Sequence, residues 1–123
     1  MSTTTEEALS HHVAFVVNDL LSISEGTYEF DPECSDSALD AWLEAQLSVE
    51  FIGKCTFHDP WNVTSVEVVS TTGGPHVEVV WDRSALTTLR VNGYWGGRKV
   101  SRDAECPELE ARLEEMADLI SHA

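Results

Sequence analysis

Between Thr64 and Arg102 the chain alternates apolar and polar residues with a period of two, and this pattern restricts the fold more than any other feature. Val77, Val79 and Trp81 alternate with His76 and Glu78, and Leu89 and Val91 alternate with Thr88, Arg90 and Asn92. In an extended chain successive side chains point to opposite faces, so alternation means one buried and one wetted face. The run is broken at Thr71-Thr72-Gly73-Gly74-Pro75, at Asp82-Arg83-Ser84 and at Gly96-Gly97. Glycine and polar clusters between alternating segments mark hairpins. The stretch therefore predicts an antiparallel meander of three or four strands over about 63–102. Its apolar face needs a cover of helices, because a small sheet alone is marginal in water.

The flanking segments supply that cover. Residues 4–24 predict an N-terminal helix: Leu9, Val13, Val16, Val17 and Leu20 recur at helical spacing, with Ala8, Ala14 and Leu21 widening the stripe. Thr3 with Glu6, or Thr4 with Glu7, forms a capping box, and Gly26 is a stop signal. Thr27–Phe30 reads as a short extended piece before the Asp31-Pro32 turn. A middle helix is expected over about 37–52, capped by Ser35 or Asp36, with Leu39, Leu43, Leu47 and Phe51 four apart and Trp42 beside them. Its last turn, Val49–Ile52, also fits a strand. Residues 53–62 read as a loop. Pro107 suits the first position of a C-terminal helix over about 107–121, with Leu109, Leu113, Met116 and Ile120 as its apolar stripe. The expected fold is one α+β domain spanning 1–123, a three- to four-stranded antiparallel meander packed against N-terminal, middle and C-terminal helices.

Charge separates this chain from an ordinary domain of its size. It has 22 acidic against 7 basic residues, a formal net charge of −15. The signs are segregated. Residues 1–53 hold eleven acids and no Lys or Arg, whereas Arg83, Arg90, Arg98, Lys99 and Arg102 lie close together. A field of this sign repels nucleic acid and anionic membrane and draws in basic surfaces. Apolar content of 42% is enough for a core and too high for a disordered chain. No apolar run approaches the roughly 20 residues of a membrane helix. The N-terminus lacks the basic start of a secretory signal. The three cysteines, Cys34, Cys55 and Cys106, have no close-spaced pair. A cytoplasmic protein with reduced thiols is expected, binding neither membrane nor nucleic acid directly.

Two rows of carboxylates are the candidate site. Asp36, Asp40 and Glu44 are four apart in the middle helix, and Glu110, Glu114 and Asp118 are four apart in the last, with Glu108 and Glu115 alongside. Residues four apart on a helix have Cβ atoms about 5–6 Å from each other, and like charges there repel by roughly 0.2–0.5 kcal/mol per pair. Arg112 is the only base on either helix. Crowding of this kind fits docking on a basic partner, adaptation to high salt, where screening shortens to about 3 Å at 1 M, or a merely acidic solvated surface. The basic cluster Arg90, Arg98, Lys99 and Arg102, with Tyr94 and Trp95, has the cations and stacking rings used on single strands, but the net field opposes a polyanion, and the cluster better fits neutralisation of nearby acids or a self-association face, with a homodimer as one outcome. Cys55, His58 and Asp59 lie close in sequence as a nucleophile with a base, and a small enzyme using this loop is an alternative reading. They carry no elbow or oxyanion motif, and Cys55 reads as a small buried apolar residue. Histidine and cysteine spacings match no zinc pattern, so no metal, cofactor or catalytic residue is expected.

Small size, a sheet-plus-helix plan, strong negative charge and the rows Asp36, Asp40, Glu44 and Glu110, Glu114, Asp118 together resemble the small anti-defence proteins of phages and mobile elements. That group includes anti-restriction and anti-CRISPR inhibitors, several of which act as DNA mimics. The resemblance is one of type. It implies a non-enzymatic inhibitor whose carboxylate-lined face occupies the basic, nucleic-acid-binding surface of a partner protein or complex.

Overall fold

The computed structural model describes residues 5–58, 61–83 and 89–121. The elements in chain order are α1 (Thr5–Glu25), α2 (Ala38–Glu44), β1 (Ser48–Lys54), β2 (Asn62–Thr71), β3 (His76–Asp82), β4 (Leu89–Trp95), β5 (Arg98–Ala104) and α3 (Pro107–Ser121). Every strand pairs antiparallel with its sequence neighbour, in the order β1-β2-β3-β4-β5. The α+β plan and the meander stand. The sheet has five strands rather than three or four.

The additional strand is β1, and it comes out of the expected middle helix. That helix ends at Glu44 instead of continuing to about 52. Leu39, Leu43, Leu47 and Phe51 are four apart, and four residues are also two repeats of a strand. Beyond Leu47 the sheet claims the chain: Leu47 donates its backbone N–H to Val69 O at 2.9 Å. Val49 then faces Val68 and Phe51 faces Val66. Ser37 is the N-cap of α2, its hydroxyl accepting from the Asp40 N–H at 3.1 Å. Past the helix end, Gln46 donates from Nε2 to Trp42 O at 2.6 Å and accepts from Ser70 Oγ at 2.5 Å. This side chain closes the short helix and ties it to β2. Residues 27–30, expected as an extended piece, join no sheet. The capping boxes proposed at Thr3 and Thr4 lie outside the described residues.

One face of the sheet carries all the helices. α1 crosses β4 and β5, α3 lies along β2, and the two helices touch. Leu9, Val13, Val16, Leu20 and Ile23 of α1 are buried. Its valines cost a few tenths of a kcal/mol each in helix propensity, whereas burying each such side chain contributes about 1.5–3 kcal/mol. Packing therefore holds α1. Gly26 ends it with φ +78°, a conformation that carries no Cβ penalty in glycine. At Gly93 the approach of α1 to β4 is close enough that a Cβ would stand 2.6 Å from Val13 Cγ2 and 2.8 Å from Leu9 Cδ1.

The opposite face follows the other parity of the strands. Glu50 faces Glu67, Val69 faces Glu78, Glu78 faces Asn92, and Asn92 faces Ser101. A polar chain crosses its centre. His76 Nε2 pairs with Glu78 Oε1 at 2.9 Å, Asn92 Nδ2 donates to Glu78 Oε2 at 3.5 Å, and Ser101 Oγ donates to Asn92 Oδ1 at 2.7 Å. Glu78 and Asn92 are nearly buried. Their mutual bonds offset the cost of removing polar groups from water.

Candidate functional site

The two acidic rows do not survive as uninterrupted stripes. Asp36 lies one residue before the Ser37 cap, exposed and outside α2. Asp40 turns to α3, where Arg112 Nη1 donates to its Oδ1 at 2.6 Å. That bond, followed by one with the Ser37 hydroxyl, lowers the Asp40 carboxyl below its ordinary range. Glu44 accepts from Ser35 Oγ at 2.9 Å. Asp118 is met by Arg83 Nη2 at 3.0 Å, and Arg83 Nε also donates to Val63 O at 3.1 Å. Two of the six predicted carboxylates are thus engaged by arginines that clamp helices to one another or to the sheet. Glu108 has a structural task as well. It accepts from Ser24 Oγ at 3.1 Å, linking α3 to α1, and its own backbone N–H holds its carboxyl low. Glu110 is half-buried.

What the fold does assemble is a compact acidic patch on α3. Glu114, Glu115, Asp118, Ala111 and Leu119 line a shallow depression. Leu119 is 67% exposed, although the other leucines of α3 are fully buried. Neither Glu114 nor Glu115 has a counter-ion among the described residues.

The basic hairpin behaves in part as expected. Arg90 Nε meets Asp103 Oδ1 at 3.4 Å, with both side chains largely exposed. The Lys99 ammonium stands 5.4 Å from the centre of the Tyr94 ring, within cation–π range. Of the Cys55, His58 and Asp59 grouping, two residues are described, and both are exposed. Cys55 is exposed, not buried as expected, because it lies just past the end of edge strand β1. His58 is exposed with its ring edge-on to Phe57 at 5.2 Å, and makes no hydrogen bond to Cys55. Asp59 lies outside the described residues. Among the described residues no group of three His, Cys, Asp or Glu is placed to hold a metal, and no helix is long and apolar enough to cross a membrane.

Sequence reasoning missed a cleft of about 550 Å³ between α1, the 27–29 segment, α2 and the adjoining ends of β2 and β3. Phe15, Trp42 and Val77 give it apolar walls, and Asp19 and Tyr28 bring it polar groups. Burial raises the Asp19 carboxyl above the ordinary carboxylate range. Burial, and then the neighbouring Asp19 charge, raise the Tyr28 phenol. A signal for the cleft does exist in the sequence. Phe15 is large and apolar, yet falls outside the α1 stripe, and Asp19 follows it by one turn on the same side. No described protein family, curated protein or solved structure matches the chain.

Proposed function

We propose that this protein acts by binding rather than catalysis, through the exterior of α3, which docks on the basic surface of a partner protein. Leu119 carries the reading. It stands in water among Glu114, Glu115 and Asp118, and an apolar anchor ringed by charge is the usual anatomy of a protein interface. The carboxylates add attraction at a distance and choice of partner, supported by the net charge of −15. A basic surface built for nucleic acid is the natural counterpart. Inhibition of a defence complex by occupying such a surface is the specific form of the proposal, with Asp36 and Glu44 extending the negative face. The arginines on Asp40 and Asp118 make that face narrower than a continuous phosphate-like row, which gives Leu119 more of the recognition.

The test is capture of partners from one host lysate on immobilised wild type, Glu114→Lys/Glu115→Lys and Leu119→Ser. A partner held by wild type at about 0.15 M KCl should be lost from both variants, and from wild type as salt rises and the Debye length falls below about 8 Å. Equal retention by all three proteins rejects the proposal. Thermal melts separate the competing reading of salt adaptation. A chain that folds only in molar KCl fits adaptation, whereas a chain fully folded at low salt fits docking.

A further inference from the structure

We infer that the cleft between α1, α2 and the 27–29 segment binds a small organic cation, an amine carried on a flat apolar body, with Asp19 as its charge partner. The inference starts from how this protein treats carboxylates withdrawn from water. Asp40 has Arg112, Glu78 has His76 and Asn92, and Glu108 has Ser24. Asp19 is half-buried and has neither a hydrogen bond nor an ion pair among the described residues. A buried charge without a partner is costly, and burial accordingly raises the Asp19 carboxyl. Glu67 is also half-buried and raised by burial and by neighbouring carboxylates, but it lies on the open sheet face and lines no cleft. At Asp19 the unanswered, half-buried charge lines a cleft with aromatic walls.

The walls define the rest of the ligand. The cleft's volume of about 550 Å³ falls in the range of roughly 300–1,000 Å³ usual for small-molecule sites. Phe15, 67% exposed, and half-buried Tyr28 present aromatic surface to a flat body and to a cation beside it, over a floor backed by fully buried Trp42. Among the described residues no Lys or Arg lines the cleft, His12 is its one imidazole, and Glu29 adds a second carboxylate. The net charge of −15 raises the local concentration of cations and repels anions. An amine therefore fits and a carboxylic acid does not.

The test uses tryptamine as the probe and its neutral alcohol analogue tryptophol as the control, each titrated into the full chain and followed by amide chemical shifts. Tryptamine should move the amides of 12–22, 27–29 and 42–46 saturably and bind at least about tenfold more tightly than tryptophol. Asp19→Asn should bring tryptamine down to the tryptophol level. Glu25→Gln, which removes the same charge at an exposed site outside the cleft, should leave the preference intact. Phe15→Ala, at a position too exposed to threaten folding, should weaken both probes. Three results would each overturn the inference: unsaturable shifts spread over the acidic surface, equal binding of amine and alcohol, or tryptamine binding unchanged in Asp19→Asn or in Phe15→Ala.

Discussion

Gly93→Ala is the sharpest probe of how the helices sit on the sheet. The added methyl would stand 2.6 Å from Val13 Cγ2 and 2.8 Å from Leu9 Cδ1, both on residues with no exposed surface. Real Cβ contacts do not come so close, so α1 must lift or Val13 must leave its rotamer, which a β-branched side chain in a helix does poorly. Overpacking of this kind costs about 1–3 kcal/mol. Replacing glycine in a strand returns roughly 0.5–1 kcal/mol of backbone entropy. At mid-range values a net loss of about 1.25 kcal/mol remains, or roughly 4–8 °C in Tm for a domain of this length. The assay is a thermal melt followed by circular dichroism, completed as a double-mutant cycle with Val13→Ala. Alone, Val13→Ala removes a buried side chain worth about 1.5–3 kcal/mol. With Gly93→Ala the new methyl occupies the vacated room, so the double variant should recover at least about 0.5 kcal/mol relative to the sum of the single changes. A Gly93→Ala protein as stable as wild type, or two changes that simply add, would refute the close approach of α1 to β4.

Three further outcomes follow from the charges and thiols. Asp19 keeps its proton to higher pH when folded than when unfolded, so its contribution is most favourable below the unfolded value of about 3.9 and declines as pH rises through the folded value. Asp19→Asn should therefore raise Tm at pH 7 and change it little at pH 3; a lower Tm at pH 7 contradicts this. Asp40 has the opposite sign. Its lowered carboxyl contributes stability above about pH 4 that is lost as pH falls through the folded value, so Arg112→Gln should destabilise at pH 7 and progressively less as pH falls below about 4, as urea unfolding across that range would reveal. Ellman's reagent should react quickly with Cys34 and Cys55, which are exposed, and with buried Cys106 only on unfolding; three fast thiols would contradict the packing at the start of α3.

The hairpins and the outer helices were legible because each rests on local chemistry. Alternation around Val77–Trp81 and Leu89–Val91, the glycines at 96 and 97, Gly26 and Pro107 place a meander of three or four strands and two helices close to where they lie. The middle of the chain was ambiguous because Leu43, Leu47 and Phe51 satisfy both a helical and an extended period; the free edge of β2 decided it through pairings with Val66 and Val68. The acidic rows were visible, but the reach of Arg112 and Arg83 across elements was not, since residue 40 meets residue 112 and residue 118 meets residue 83 only once α2, α3 and the sheet are assembled. The cleft was hidden for the same reason. Phe15 and Asp19 share one side of α1, but Tyr28, Trp42 and Val77 come from three other segments, and no spacing rule joins these to Asp19.

The central claim is that the face of α3 around Leu119, not bulk acidity, engages a cationic protein. It is tested most directly by the affinity of a captured partner for three proteins of matched fold: wild type, Glu114→Lys/Glu115→Lys, and Glu29→Lys/Glu50→Lys, which makes the same change in net charge on other surfaces. Titration calorimetry at about 0.15 M KCl should find at least about a tenfold loss, some 1.4 kcal/mol, for the α3 variant and a much smaller loss for the control. Equal losses in the two variants would mean that only net charge matters, and would contradict the account.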